Sequence, residues 1–266
     1  MANFYSGKVI WVTGASAGIG EAMVKAFAKK GAVVVLTARR EEELKRVQKE
    51  AGLNDSNSLI LPLDLYHTEG IKPAAEKIKQ KFSHIDILVC NAGVSQRSLV
   101  KDTSIEVDRK LMDLNYFSAV ALTKAVLPDM IDRQQGNFIV ISSVMGKMSI
   151  PLRSAYCASK HALHGFFDAL RSEVFKDKIK VTVICPGYVK TDVSVNAITG
   201  DGSSHGKMEE GQAKGISPER CARRILQVVK RNREEVYIGG KEILTPQVKR
   251  YFPRFFSAVI KRMKFH

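Results

Sequence analysis

The fold is decided by the stretch Val9-Ile10-Trp11-Val12-Thr13-Gly14-Ala15-Ser16-Ala17-Gly18-Ile19-Gly20 near the start of the chain. Its first five residues are β-branched or apolar and predict a strand, Val9–Thr13. A glycine-rich turn follows, and residues with helical spacing begin at Glu21. Glycines at such a turn permit a tight reversal and close packing of the helix on the strand. The stretch therefore predicts the first strand, turn and helix of an α/β fold.

The same alternation continues outward along the 266 residues. Short apolar runs predict further strands at Val33–Thr37, Leu59–Leu63, Ile85–Val89, Asn137–Ser142, Lys180–Cys185 and Val236–Ile238. Segments with helical spacing lie at Glu21–Lys30, Glu41–Glu50, Glu69–Phe82, Asn115–Met130, Ser154–Phe175 and around Ala222–Val229. Residues 188–216 break the pattern because glycines punctuate a polar stretch, and we expect a mobile substrate loop there. The alternation predicts βαβ units and a parallel sheet in one domain.

The glycine-rich turn also suggests a ligand. Glycines let the backbone approach a pyrophosphate, and the N-terminus of the helix supplies free N–H groups. The spacing G-x-x-x-G-x-G differs from the usual G-x-G-x-x-G, so a plain turn between strand and helix stays an alternative. Its place after the first strand favours a dinucleotide, with expected contacts at Gly14, Ser16, Gly18, Ile19 and Gly20.

The ends of the next strands carry further candidate cofactor residues. The second strand is followed by Arg39 and Arg40 rather than by an acid, which favours the 2′-phosphate of NADP(H) over the ribose of NAD(H). The alternative is that these arginines pair with Glu41–Glu43. Asp64, followed by Leu65, could accept a hydrogen bond from the adenine amino group or cap a turn. The small residues of Asn91-Ala92-Gly93 allow the backbone to approach a cofactor.

Tyr156 and Lys160 are four residues apart on a predicted helix and therefore share one face. A nearby ammonium favours the phenolate, so the pair could act as an acid–base couple, although this spacing also arises on many helices by chance. Ser143, at the end of a strand, could hydrogen-bond a substrate carbonyl oxygen or start a turn with Gly146. Asn115, in an apolar segment, could bond to backbone or hold a water that relays protons to Lys160.

In combination, these motifs resemble the classical short-chain dehydrogenase/reductase family from Lys8 to about Ile238. The resemblance rests on Thr13–Gly20, Asn91-Ala92-Gly93, Asn115, Ser143, Tyr156 with Lys160, and Pro186-Gly187. It implies a single doubly wound Rossmann domain with a seven-stranded parallel sheet and a nicotinamide cofactor across the carboxyl ends of the strands. Two departures stand out: Cys90 replaces the first asparagine of the usual Asn-Asn-Ala-Gly, and the residues after Thr191 match no general family pattern.

The resemblance also implies a role for each matched residue. Tyr156 is expected to be the general acid in reduction, while Lys160 lowers its pKa and holds the nicotinamide ribose. Ser143 is expected to orient the carbonyl, and Asn115 to support a proton relay. Thr191 is expected to hold the nicotinamide carboxamide, and the cofactor contacts are completed by Pro186, Gly187 and Val189.

Two shorter segments, residues 150–156 and 194–197, are similar to the 7B-type animal reductases of this family. This similarity implies a lipid-like ketone as substrate. Members of the family are often homodimers or homotetramers through the helices predicted at Asn115–Met130 and Ser154–Phe175, so we expect a homo-oligomer.

The chain has 42 basic and 27 acidic residues, and the net charge of +15 favours an anionic partner. Part of this charge lies in residues 246–266, a tail beyond the catalytic domain of residues 1–245. Apolar residues recur in the tail at helical spacing beside basic ones, at Phe252, Phe255, Phe256, Val259 and Ile260. The tail could lie on an anionic membrane, or pack on the domain, on the mouth of the substrate site or on a second subunit.

The four cysteines form no CxxC pair and no zinc-binding spacing, so we expect no metal site and a reducing cytosol. The chain has neither an apolar run of about 18 residues nor the pattern of a signal peptide. The sequence predicts a cytoplasmic NADP(H)-dependent carbonyl reductase or alcohol dehydrogenase, peripheral at a membrane if the tail binds there. The alternatives are a non-catalytic NADPH-binding regulator and a basic membrane- or nucleic-acid-associated protein, although we expect no nucleic acid.

Overall fold

A sheet of seven parallel strands forms the centre of the computed structural model, which describes residues 3–263. The strands are β1 (Val9–Thr13), β2 (Val33–Thr37), β3 (Ser58–Ile60), β4 (Ile87–Cys90), β5 (Gly136–Ile141), β6 (Ile179–Pro186) and β7 (Glu235–Ile238). β1, β4 and β5 are buried at every position, as expected of a parallel sheet that helices cover on both faces.

Helices form a layer on each face of this sheet. They are α1 (Gly18–Ala28), α2 (Glu41–Glu50), α3 (Ile71–Phe82), α4 (Ile105–Met112), α5 (Ser118–Asp132), α6 (Ser154–Glu173), α7 (Glu210–Ala213), α8 (Pro218–Lys230), α9 (Thr245–Tyr251) and α10 (Pro253–Arg262). Alternate residues of β1 show the two layers: Ile10 lies in a buried cluster with α1, α2 and α8, whereas Trp11 lies in one with α3, α5 and α6. The fold is a doubly wound Rossmann domain, as predicted.

The strand order is β3-β2-β1-β4-β5-β6-β7, so the direction in which strands are added reverses between β1 and β4. Ligands bind outside the carboxyl ends of the strands at such a reversal. Gly14 follows β1 there with φ +62°, and a Cβ at this position would lie 2.7 Å from Nδ2 of Asn91, which follows β4. Glycine is therefore required at the turn for both conformation and space.

The segment predicted as one helix, Asn115–Met130, differs in the structure. A π-helical turn, Asp113–Phe117, joins α4 to α5, and the sequence analysis missed α4 altogether. The missed signal was Ser104, whose side chain accepts a hydrogen bond from the backbone N–H of Val107 and caps α4. The π turn changes the phase of the helix, so no single helical period covers the whole segment.

The substrate loop and the tail hold more regular structure than their sequences indicated. The loop, residues 188–216, includes the short helix α7, and its predicted mobility stays a prediction. The tail forms two helices rather than one, because α9 ends before Phe252 and Pro253 starts α10, a position in which proline loses no helical hydrogen bond. Lys264, one of the basic tail residues, lies outside the described residues.

No helix in residues 3–263 has both the length and the apolar character needed to cross a membrane. The four cysteines are all free and buried, at Cys90, Cys157, Cys185 and Cys221.

Candidate functional site

A cavity of about 1020 Å³ opens at the carboxyl ends of the strands. Its lining brings together most of the predicted site residues, from both halves of the chain: Gly14, Ser16, Gly18, Ile19, Arg39, Asp64, Leu65, Asn91, Ala92, Gly93, Ser143, Tyr156, Lys160, Pro186, Gly187, Val189 and Thr191. Gly20 and Asn115 are not part of the lining. Gly20 packs on the carbonyl of Gly14, and Asn115 bonds to Val94 and Ser159 behind the lining.

The glycine turn is fixed by contacts between the first and fourth strands. Nδ2 of Asn91 donates to the carbonyl of Thr13 at 2.9 Å, and the Thr13 hydroxyl accepts from the backbone N–H of Asn91 at 3.0 Å. Gly20 packs directly on the carbonyl of Gly14, so a side chain there would collide with the turn. Cys90, in place of the usual asparagine, is buried in the core and leaves these contacts intact. The turn keeps the close backbone approach that a pyrophosphate requires.

At the adenosine end of the cavity, Arg39 is exposed at its rim and, within residues 3–263, neither it nor Arg40 forms a salt bridge. The glutamates that were their alternative partners, Glu41–Glu43, pair instead with Lys45 and Arg46. Asp64 lines the cavity, but one of its carboxylate oxygens accepts from the backbone N–H of Tyr66 at 3.1 Å, so it caps a turn. An arginine side chain thus remains available where a 2′-phosphate would lie.

At the opposite end, the end of β5 meets one face of α6. The Lys160 ammonium donates to the carbonyl of Ile141 at 2.9 Å and lies 5.9 Å from the centre of the Tyr156 ring. The Ser143 hydroxyl accepts from the backbone N–H of Met145 at 3.1 Å, which is the turn-starting role, and Ser143 lines the cavity together with Tyr156. The predicted trio of Ser143, Tyr156 and Lys160 therefore shares one wall of the cavity.

Burial is the main influence on the pKa values of Tyr156 and Lys160. Burial raises the pKa of Tyr156, and the Ser143 hydrogen bond with the charges of Arg97 and Arg153 offsets part of that increase. Burial also lowers the pKa of Lys160 to about 8. The charges of Arg97 and Arg153 are among the causes that lower the pKa of Tyr156, and the expected effect of Lys160 on that pKa stays a prediction.

Asn115 lies in the π-helical turn and is buried behind this wall. Its side chain accepts from the backbone N–H of Val94 at 2.8 Å and donates to the Val94 carbonyl at 2.9 Å. It also donates to the Ser159 hydroxyl at 3.0 Å, in the helix between Tyr156 and Lys160. Of the two roles considered for Asn115, bonding to backbone is the one that these contacts fulfil, while the proton relay stays a prediction.

Sequence reasoning missed three charged residues beside Tyr156. Arg97 and Arg153 are buried in the wall of the cavity, and both contact the Glu209 carboxylate of the substrate loop, at 2.5 and 2.7 Å. Burial alone would raise the pKa of Glu209, but the two arginines hold it below its usual range. Arg153 is 56 residues from Arg97 in the sequence and 56 residues from Glu209, so no local pattern connects the three positions. Only the tertiary fold brings them together.

The residues present fit a nicotinamide dinucleotide. The glycine turn leaves room for backbone contact with phosphates, an exposed arginine marks the adenosine end, and Thr191 with its neighbours lines the other end beside Tyr156. The hydroxyl of Thr191 accepts from the side chain of Gln212 at 3.1 Å, so α7 helps to hold it. One continuous cavity joins the phosphate-binding turn to the acid–base residues.

The chain is similar to known proteins over most of its length. A family model described as short chain dehydrogenase matches residues 8–201. "Dehydrogenase/reductase SDR family member 7B" of Xenopus tropicalis is 43% identical over 269 residues, which cover 96% of this chain and 85% of that protein. A short-chain dehydrogenase structure from Streptomyces avermitilis is 28% identical with a TM-score of 0.82, covering 98% of this chain and all of that one. A metagenomic short-chain oxidoreductase in complex with NADP is 29% identical with a TM-score of 0.71, covering 88% and 97%.

Proposed function

Because the chain belongs to the classical short-chain dehydrogenase/reductase family, we propose that it is an NADP(H)-dependent oxidoreductase that interconverts a ketone or aldehyde and an alcohol. The observation that carries this proposal is the meeting of Ser143, Tyr156 and Lys160 on one wall of a cavity that begins at the glycine turn. A bound nicotinamide cofactor supplies the hydride in reduction and accepts it in oxidation. The chain's own residues bind, orient and exchange the proton.

The residues of the trio divide the proton chemistry among them. Ser143 and Tyr156 present hydroxyls to the substrate oxygen, and the Tyr156 phenol gives its proton to that oxygen as negative charge develops there. Because burial raises the pKa of Tyr156, the phenol is protonated at neutral pH and ready to act as an acid in reduction. Alcohol oxidation requires the phenolate and is expected to increase as pH increases. Lys160 is expected to hold the nicotinamide ribose and to favour the phenolate once the cofactor is bound.

A preference for NADP(H) over NAD(H) is supported by Arg39. This arginine is exposed beside the adenosine end of the cavity, and the neighbouring glutamates are occupied by Lys45 and Arg46. A guanidinium forms charge-assisted hydrogen bonds with phosphate that it cannot form with a ribose hydroxyl. The similar metagenomic oxidoreductase binds NADP, which agrees with this choice.

A lipid-like substrate is supported by the apolar part of the cavity. The lining near Tyr156 includes Met145, Met148, Ile150, Phe256 and Ile260. Phe256 also packs on a small cluster formed by Val144, Met145, Met148 and Cys157. The wall that Phe256 and Ile260 complete belongs to α10, so the tail covers the mouth of the substrate site with one face. Apolar side chains favour binding of an alkyl or acyl chain next to the reacting carbonyl.

The other face of α10 supports peripheral membrane binding. Phe255 and Val259 of α10 are exposed, as are Tyr251 and Phe252 just before it, and the basic residues among them have no acidic neighbour in the tail. An aromatic and basic helical surface binds an anionic membrane interface, where each basic residue contributes about 1 kcal/mol. A site at a cytoplasmic membrane surface would suit a lipid-like ketone, and the four free cysteines suit a reducing compartment. We also expect a homodimer or homotetramer through α5 and α6, as in other members of the family.

Vesicle sedimentation tests the membrane contact. Full-length protein is expected to sediment with anionic vesicles at low salt, and a version that ends at Thr245 is expected to remain in solution. Phe255→Ala, on the exposed face, should weaken binding, whereas Phe256→Ala, on the face that packs on the cavity, should weaken it much less. Equal sedimentation of all four proteins would contradict the proposed contact. Neutral vesicles control for apolar binding alone.

Ketone-dependent loss of NADPH absorbance tests the proposed activity, with a panel of short-chain and long-chain ketones. Tyr156→Phe removes the proton donor but keeps most of the packing, so turnover should fall by about 10²-fold or more while NADPH binding largely survives. Lys160→Ala should reduce both rate and cofactor affinity. A wild-type protein that binds NADPH but reduces no ketone would favour the non-catalytic regulator. A Tyr156→Phe variant with most of its turnover would refute the role of Tyr156.

A further inference from the structure

His164 continues the face of α6 that carries Tyr156 and Lys160, because each of the three residues follows the previous one by four positions. It is buried, and its Nε2 lies 3.0 Å from the hydroxyl oxygen of Ser142, just past the end of β5. Its Nδ1 lies 3.3 Å from Oε2 of Glu235 on β7. A serine, a histidine and a glutamate from three elements thus form a chain of polar contacts behind the reacting residues.

This chain has the order of a hydrolytic triad, but Ser142 has no space to act as a nucleophile. A Cβ on Gly146 would lie 2.5 Å from the Ser142 hydroxyl and 2.8 Å from Nε2 of His164, so the backbone of the turn covers both atoms. The Ser142 hydroxyl also lies 3.2 Å from the Lys160 carbonyl. Ser142 and His164 are both buried, which disfavours attack on a substrate carbonyl carbon.

The same residues are not well suited to a metal ion, although Cys185 Sγ lies 3.7 Å from Nε2 of His164. Burial raises the pKa of the Cys185 thiol, which disfavours the thiolate that a metal would require. Glu235 already contacts the Lys147 ammonium and the Tyr237 hydroxyl, each at 2.7 Å. Burial alone would raise the pKa of Glu235, but its contacts with His164, Lys147 and Tyr237 lower it to about 2. The cluster is a set of polar contacts between elements, in which Nδ1 of His164 faces Glu235 at 3.3 Å without hydrogen-bond geometry.

What the contact controls is the register between the end of β5 and α6. Three consecutive residues, 141–143, all contact this helix: the Ile141 carbonyl accepts from Lys160, and Ser142 contacts the Lys160 carbonyl and His164. Ser143, the next residue, lines the cavity together with Tyr156. A small slide of the helix along the strand end would change the separation of Ser143 and Tyr156. The contact in the middle of the three, at Ser142, opposes that slide.

We propose that His164 is a positioning residue, which together with Ser142 and Glu235 holds β5 and α6 in the register that brings the Ser143 hydroxyl to Tyr156. We call these three residues the register clamp. The proposal rests on the proposed function, since its consequence is the readiness of Tyr156 to exchange a proton. His164 acts on the reaction through Ser142 and the helix, without touching the substrate.

The pH dependence of Tyr156 distinguishes this role from a contribution to stability alone. The Ser143 hydrogen bond lowers the pKa of Tyr156, so a looser register should raise that pKa. Alcohol oxidation needs the phenolate, so its rate increases with pH. The rising limb of this pH–rate profile should therefore move to higher pH, by about 0.5–1 unit for one weakened hydrogen bond. The charged groups near the phenol, Arg97, Arg153 and Lys160, are retained in every variant. A shift then reports the Ser143 contact.

The experiment compares three variants as purified full-length proteins. His164→Phe removes both polar contacts, and we expect the limb to move up and kcat to fall about 10-fold, with little change in the KM for the nicotinamide cofactor. His164→Gln keeps a group that can bond to Ser142. It should therefore restore most of kcat and return the limb of the pH–rate profile close to its wild-type position. His161→Phe is the matched control, because His161 lies on the same helix and, among residues 3–263, bonds only to the Cys157 carbonyl. An unmoved limb in His164→Phe, or an equal shift in His161→Phe, would overturn the proposal.

A readout independent of turnover separates this proposal from the proposed function. The ionisation of Tyr156 is measured as the ultraviolet difference between each protein and its Tyr156→Phe counterpart. If the wild type reduces no ketone, the proposed function fails, and the phenol titration still decides whether His164→Phe raises the pKa of Tyr156. If His164→Phe does not fold, Ser142→Ala removes the same contact with a smaller change in volume. Ser142→Ala must then raise the pKa of Tyr156, and an unchanged pKa refutes the clamp.

Discussion

At the scale of single residues, the proposed preference for NADP(H) over NAD(H) depends on Arg39. It follows β2 at the edge of the cavity, and the local acids pair elsewhere, with Lys45 and Arg46. The helix that follows thus neutralises its own glutamates within its first turns. Within residues 3–263 this leaves both Arg39 and Arg40, which line the cavity, without a salt bridge, and Arg39 is the one nearer the end of β2.

Arg39→Ala is expected to weaken NADPH binding by about 1.5–3 kcal/mol, the contribution of a hydrogen bond to a charged group, with little effect on NADH binding. Fluorescence titration of both cofactors measures it. Arg40→Ala serves as the matched control and should change NADPH affinity less. Equal affinity of the wild type for the two cofactors would show that no 2′-phosphate contact exists.

Residue-scale prediction from sequence succeeded where spacing within one element or a strand end determines position. Tyr156 and Lys160 share a helical face because they are four residues apart, and Ser143 lies two residues beyond the end of β5. It failed for Arg97, Arg153 and Glu209, which come from three irregular segments and meet only through the fold. A buried charge leaves no periodic signal in a loop, so neither hydrophobic pattern nor helix spacing could have located it.

At the scale of elements, the substrate loop is attached to the cavity wall by its Glu209 carboxylate. The two arginines that it neutralises are buried, so each is costly without a partner. The contact fixes the loop just before α7, and α7 in turn holds Thr191 through Gln212. Loss of the carboxylate should therefore affect both stability and the substrate end of the site.

Glu209→Gln keeps the size of the side chain and removes its charge. We expect the free energy of unfolding to fall by about 2 kcal/mol, because two buried guanidinium groups lose their counter-charge, and the substrate KM to rise. Glu210→Gln is the neighbouring control, since Glu210 is exposed and, in the part of the chain that the structure describes, pairs only with Lys214. Thermal denaturation and steady-state kinetics on both variants provide the measurement. A Glu209→Gln protein as stable as Glu210→Gln would contradict this assignment.

Element prediction was accurate for strands and for helices with a regular period. β1 and β2 were predicted to the residue, whereas the helix predicted from Asn115 is divided by a π-helical turn. The apolar character of the segment continues across the π-helical turn. The sequence pattern therefore gives no sign that the helix changes phase there. The tail was predicted as one helix for the same reason, although Pro253 offered a signal for the break.

At the scale of the whole molecule, both layers of helices pack on a sheet whose core contains the four free cysteines. Cys90 lies in β4 next to the site, Cys185 in β6, Cys157 in α6 and Cys221 in α8. Burial raises the pKa of all four thiols, to about 12 for Cys90 and Cys221. Thiol reagents attack the thiolate of an accessible cysteine, so the folded chain should be inert to them.

The reaction of these buried cysteines with a thiol reagent therefore reports how often the folded protein opens, and no added label is needed. A disulfide reagent at pH 8 should release almost no chromophore from the native chain and four equivalents per chain in denaturant. Slow release in native buffer would measure how often each layer opens to solvent. Saturating NADPH should slow that release, because a ligand that binds only the closed form lowers the open population by a factor that grows with the ratio of ligand concentration to Kd. Rapid native labelling of all four would contradict the burial, whereas protection by NADPH would give a binding constant without any substrate.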